Sequence, residues 1–166
     1  MYNVFKFLIV LLLLNYSVTF SQESKSQFSH AEQLFKKAYT VGDYSNWSNA
    51  DSIFLELNSR EGFLDVKEQI LSRLYRTYIF IYYNPINEEQ LQNIIEAINL
   101  FDLHQLSDNY LLQELLYVKE LLKLKLGKPN AETNLLRQIE EFSNTNTPNL
   151  RAIGGMHDAL CRYYYS

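Results

Sequence analysis

One cysteine, one tryptophan, three prolines and five glycines in 166 residues leave few ways to staple or break this chain. A lone cysteine excludes an internal disulfide framework. So little glycine and proline beside 47% hydrophobic residues excludes collagen-like and disordered states. Basic residues are also scarce, 15 against 19 acidic, and they form no block. A net charge of −4 without a basic face argues against nucleic-acid binding. The chain has no glycine-rich phosphate loop, no HExxH and no GxSxG. Its length suits one domain.

The N-terminus carries the longest apolar run. Lys6 is the only charge before Phe7 to Leu14, and Asn15 and Ser17 interrupt the pattern soon after. Thr19 and Ser21 are the small residues a signal peptidase requires at −3 and −1. Residues 1–21 therefore read as a secretory signal cleaved between Ser21 and Gln22. The alternative, an uncleaved anchor, has less apolar length than the ~20 residues an ordinary span needs. Cleavage removes Lys6, leaving 14 basic against 19 acidic residues and a charge of −5. The expected location is periplasmic or extracellular, with no later segment apolar enough to span a membrane.

Gln22 to Gln27 is polar and reads as a flexible leader. The rest, 28–166, carries helical periodicity. Ser29 and Glu32 have capping-box spacing before Ala31, Leu34, Phe35, Ala38 and Tyr39, and Gly42 ends that helix. Asp43 to Asn46 reads as a loop, with Ser48 and Asp51 as caps for a helix carrying Ile53, Phe54 and Leu57. From Phe63 to Tyr83 the apolar residues fill two adjacent stripes. One stripe holds Val66, Ile70 and Leu74, the other Leu71, Tyr75, Tyr78 and Tyr82. So wide an apolar arc predicts a helix wedged between neighbours. Tyr78 to Tyr83 would also suit a buried strand; the helical period that precedes it favours helix.

Pro85 pushes Asn84 out of the α region and ends this helix. Asn87 is then an N-cap, Gln90 completes a capping box, and Ile86 and Leu91 form a hydrophobic staple. Ser107 reads as the cap of a following helix with Leu111, Leu115, Val118 and Leu122 inward, stopped by Gly127-Lys128-Pro129. Asn130 reads as the cap of a helix with Ala131, Leu135 and Phe142 inward. Thr147 and Pro148 read as the start of a last helix whose inner face is Leu150, Ile153, His157, Leu160 and Tyr164. Helix pairs thus start near 63, 107 and 148, about 44 and 41 residues apart, a spacing that marks a helical solenoid.

These residues resemble the tetratricopeptide repeat. Leu150, Ile153, Gly154 and His157 fall at the large, apolar, small and aromatic positions of that repeat's first helix. Ala31, Phe35 and Ala38 match the second-helix triplet; Ala131 and Leu135 match its first two positions, with Gln138 departing at the third. The resemblance covers about half the mature chain. It implies close helix approach at Gly154 and a concave face lined by first helices. Its register also implies either a terminal cap from Tyr163 to Ser166 or a longer protein. In some bacterial signalling proteins such a region precedes a membrane helix and an effector domain.

Few residues offer chemistry. His157 and Cys161 stand at i and i+4, the spacing of a thiol–imidazole pair or half a metal site. A zinc site needs three or four protein ligands, so both read as packing residues. His30 and His104 are isolated. Glu88-Glu89 and Glu140-Glu141 are adjacent on helices and diverge by about 100°. Asn46-Trp47-Ser48 is a formal glycosylation sequon. Tyrosine is the informative excess, at 13 residues. Tyr75 and Tyr82, on one stripe of the Phe63 to Tyr83 helix, either bridge neighbouring helices or, where the concave first-helix face implied by the resemblance carries over, are the candidate partner-binding residues.

The expectation is an all-α fold of antiparallel helix pairs stacked as a short tetratricopeptide-like α-solenoid. It is exported, has no cofactor or metal and is not an enzyme. It recognises a protein or peptide, or forms the sensory portion of a membrane signalling protein.

Overall fold

A computed structural model describes the backbone of residues 2–60, 62–83 and 85–165, with side chains from Gln22 onward, Tyr83 excepted. The side chains read as a secretory signal lie outside this description, as do Asn84 of the Asn-Pro turn and Ser166 at the expected terminal cap. Seven helices and no strand occur among the described residues: α1 (Tyr2–Val41), α2 (Tyr44–Ser59), α3 (Val66–Tyr83), α4 (Glu88–Leu103), α5 (Asn109–Lys125), α6 (Ala131–Ser143) and α7 (Leu150–Tyr165). The all-α expectation holds, and YIFIYY is helical. The chain divides into two compact units, 1–75 and 76–166, although one domain was expected over 28–166.

In the first unit α1 packs along α2. Gly42 adopts φ +73°, and its N–H reaches the Ala38 carbonyl at 2.7 Å, the left-handed stop that glycine makes without steric cost. Asp43 caps α2, accepting from the Ser45 N–H at 3.0 Å. The expected loop at Asp43 to Asn46 is therefore mostly helix, because Asp43 rather than Ser48 or Asp51 supplies the cap. The expected leader is corrected too: residues 22–27 continue α1 without a break at Ser29. Ser24 and Phe28 are buried, so this polar stretch has a packed side.

The core of this unit is aromatic. Phe28, Ala31, Phe35 and Ala38 of α1 are buried, as are Trp47, Ala50, Phe54 and Leu57 of α2. Phe35 meets Trp47 edge-on with centroids 5.0 Å apart and stacks on Tyr75 at 4.4 Å. Both distances lie in the range where aromatic pairs add to simple area burial. The start of α3 is held by a reciprocal cap: Asp65 accepts from the Glu68 N–H at 2.8 Å, and Glu68 accepts from the Asp65 N–H at 3.0 Å.

In the second unit α4 packs on α5, α5 on α6, and α6 on α7, while α5 also meets α7. Each helix contacts its successor, and one contacts the helix after next, as in stacked helix pairs. Leu115, Val118 and Leu122 are fully enclosed in α5. The Asn87 capping box is present as expected, with Gln90 accepting from the Asn87 N–H at 3.0 Å. The cap of α5 is Asp108, one residue beyond Ser107, and accepts from the Leu111 N–H at 3.1 Å. Asn130 precedes α6 in a left-handed conformation and makes no side-chain cap.

The face of α7 expected to point inward is mostly exposed, with only Leu160 of it buried. Leu150, His157 and Tyr164 are exposed, and the buried residues are Ala152, Met156, Ala159 and Leu160. Ala152, Met156 and Ala159 repeat the i, i+4, i+7 spacing of Ala31, Phe35 and Ala38, all buried in α1. Ala131, Leu135 and Gln138 do the same in α6, so Gln138 sits on the core face despite its polarity.

Candidate recognition cleft

Tyr75 and Tyr82 lie on one helix but have different surroundings. Tyr75 is half-buried against the core of the first unit. Its ring stacks on Phe35 and lies 5.7 Å from Phe54, and its hydroxyl donates to Glu32 at 2.8 Å. It bridges helices. Tyr82 is 54% exposed and stands at the edge of a cleft of about 390 Å³ in the second unit.

Three helices build this cleft. α3 supplies Tyr78, Ile81 and Tyr82; α5 supplies Tyr117, Leu121, Leu124 and Lys125; α7 supplies Gly155, Asp158, Ala159, Arg162 and Tyr163. Two of the α7 residues that line it, Gly155 and Ala159, are small, and at Gly155 the reason is geometric. A Cβ on Gly155 would lie 2.5 Å from the Tyr117 hydroxyl oxygen and 2.6 Å from its Cζ. Gly155 therefore admits the Tyr117 ring against α7. The expected close approach at Gly154 is not found, since nothing lies within 4 Å of a Cβ there.

Beneath the cleft lies a buried polar cluster the sequence did not single out. Glu114 is 4% exposed. It accepts from the Tyr78 hydroxyl and from Asn149 Nδ2 at 2.9 Å, and Arg151 lies 3.4 Å away. The Arg151 guanidinium also sits over the Tyr78 ring, 4.9 Å from its centroid. Asn149, fully buried, takes the Gln113 oxygen on its N–H at 2.7 Å and accepts from the Ala152 N–H at 3.0 Å. It caps α7 in the place expected for Thr147. The only sequence sign of it was an asparagine just ahead of the apolar period, masked by the stronger Thr-Pro start signal.

The surroundings of Tyr78 and Tyr117 favour their protonated forms. Burial, reinforced by the Glu114 carboxylate, pushes the Tyr78 phenol well above its ordinary value, against the opposing charge of Arg151. Burial, then Tyr82 and Glu114, raises Tyr117. Tyr117 is 9% exposed, and its hydroxyl has no hydrogen-bond partner among the described residues, although it lines the cleft. Asp158 and Arg162 pair at 2.9 Å across one turn of α7. Lys125 is exposed and makes no ion pair among the described residues.

The other candidates separate from the cleft. His157 and Cys161 are both exposed, which corrects their reading as packing residues. No group of three or more His, Cys, Asp or Glu suited to a metal occurs among the described residues. Asn46 of the sequon is buried, with its amide donating to Asp43 at 2.5 Å, so a glycan there would have to open the start of α2. No described helix is long and apolar enough to cross a membrane. Comparison with known proteins found no matching family model, no matching curated protein and no matching solved structure.

Proposed function

We propose that this chain is an exported, tetratricopeptide-like helical module that recognises a peptide segment of a partner protein without catalysing a reaction. The observation that carries the reading is the cleft between α3, α5 and α7, where four tyrosines line a hollow of about 390 Å³. That volume lies toward the lower end of the range of ligand pockets. Tyrosine offers large contact area with little rotamer entropy to lose, which suits it to recognition surfaces. The rim is charged and the floor is aromatic and aliphatic, the anatomy of a binding patch.

The test is a selection from a random peptide display library on protein purified after export of the full chain. Enrichment of related peptides on the wild type, abolished by Tyr82→Ala with an unchanged unfolding midpoint, is the expected result. Enrichment that survives Tyr82→Ala, or no enrichment on folded protein, sinks the reading.

A further inference from the structure

The chain is acidic overall, yet the cleft rim is not. Lys125 and Arg162 stand beside a single carboxylate, Asp158, and Arg162 already pairs with it. Lys125 is left as a cation without an ion pair among the described residues, in the last turn of α5. Glu114, the other carboxylate near the floor, is 4% exposed and engaged by Tyr78, Asn149 and Arg151. The local charge therefore favours an anion, within a molecule whose net charge of −4 would repel one elsewhere.

A second, independent observation points the same way. The Tyr117 side chain lines the cleft, and its hydroxyl makes no hydrogen bond among the described residues. An oxygen on a cleft ligand would give that hydroxyl an acceptor. Tyr82 and Tyr163, 54% and 49% exposed, leave the cleft open at its rim, which suits a side chain carried on a longer peptide better than an engulfed small molecule.

We propose that the cleft takes an aromatic side chain of a peptide with an adjacent acidic residue. The ring lies between Tyr82 and Tyr163, the carboxylate faces Lys125, and a peptide carbonyl accepts from the Tyr117 hydroxyl. This deepens the peptide-recognition reading and rests on it.

The experiment is an NMR titration of the exported protein, with the Gly155 amide as cleft reporter. Four blocked synthetic peptides differ only at a central pair: Trp-Asp, Trp-Asn, Trp-Lys and Leu-Asp. Trp-Asp is expected to bind about tenfold more tightly than Trp-Lys, with Trp-Asn between them and Leu-Asp weakest. Lys125→Ala should remove the Asp over Asn preference. Tyr117→Phe, which keeps the packed ring, should weaken all three Trp peptides by about threefold to tenfold. Equal binding of the three Trp peptides at the cleft overturns the acidic specificity and leaves peptide recognition standing. No cleft shift with any peptide overturns both. Tighter binding of free indole-3-acetate than of Trp-Asp overturns the peptide occupant in favour of a small aromatic acid.

Discussion

Two adjacent glycines in α7 do different work, and the difference can be measured. At Gly155 an added Cβ would press on the Tyr117 ring, which is itself buried. Overpacking of this kind costs about 1–3 kcal/mol, so Gly155→Ala is expected to lower the urea unfolding midpoint and to move the Tyr117 ring resonances. At Gly154 the same methyl group meets nothing within 4 Å. There the usual helix preference for alanine should dominate, stabilising by about 0.5–1 kcal/mol. If both variants shift stability in the same direction, Tyr117 does not rest on Gly155. The tetratricopeptide resemblance pointed at Gly154, because it locates a small residue relative to a repeat pattern. Only the rotation of α7 about its axis decides which glycine faces α5, and that rotation follows from Ala152 and Met156 being the residues that bury.

At the scale of elements, α7 is anchored at its start by one side chain. Asn149 binds the Glu114 carboxylate, the Tyr110 carbonyl and the Ala152 N–H, and takes the Gln113 oxygen on its own N–H. Asn149→Ala removes a cap and leaves part of a buried carboxylate without its donor, a loss of about 2–4 kcal/mol. Faster hydrogen exchange at the Ala152 and Ile153 amides, ahead of global unfolding, would show that the loss begins at the N-terminus of α7. The α5–α6 contact has a titratable tie. Glu120 is 2% exposed, binds Asn134 at 3.0 Å and pairs with Lys123 at 3.0 Å. Burial alone would raise its pKa. The hydrogen bonds from Asn134 and Lys123, with the charges of Lys123 and Lys119, outweigh burial and hold it below the ordinary carboxylate value. A folded value depressed in this way gives stability that is complete above the unfolded pKa, about 4.3 for glutamate, and lost as pH falls through the folded value. Unfolding followed from about pH 6 down to pH 3 should show this loss, and Glu120→Gln should flatten it. An unchanged slope in Glu120→Gln would place the acid sensitivity elsewhere.

Most of the helical architecture was legible in the residues, because helix existence follows from periodicity over many turns. The Asn87 capping box, the Gly42 stop and the Gly127 break were read at their true places, each a short local signal with its own geometry. Caps competed where several polar residues lay together: Ser107 beside Asp108, and Thr147 beside Asn149. Whichever side chain reaches the free N–H groups wins, and that depends on how the preceding loop arrives. The cleft was half legible. Tyr82 was picked out with Tyr75, although they serve different surroundings, while Tyr117 and Gly155 come together only through the packing of α5 on α7. The division into two compact units after Tyr75 falls inside α3, where no proline, glycine or polar linker marks it. The proposed export is the last question at the scale of the whole molecule. Helix α1 runs unbroken from Tyr2 to Val41, and its first described buried side chain is Ser24, followed by Phe28. Processing between Ser21 and Gln22 would therefore remove one end of a helix and spare every described side chain in the core. The protein recovered after export is expected to have an intact mass starting at Gln22 and a net charge of −5, since Lys6 is the only charge in the removed segment. An intact mass that includes Met1, with the protein retained in the membrane fraction, would show that the apolar run from Phe7 to Leu14 serves as an anchor.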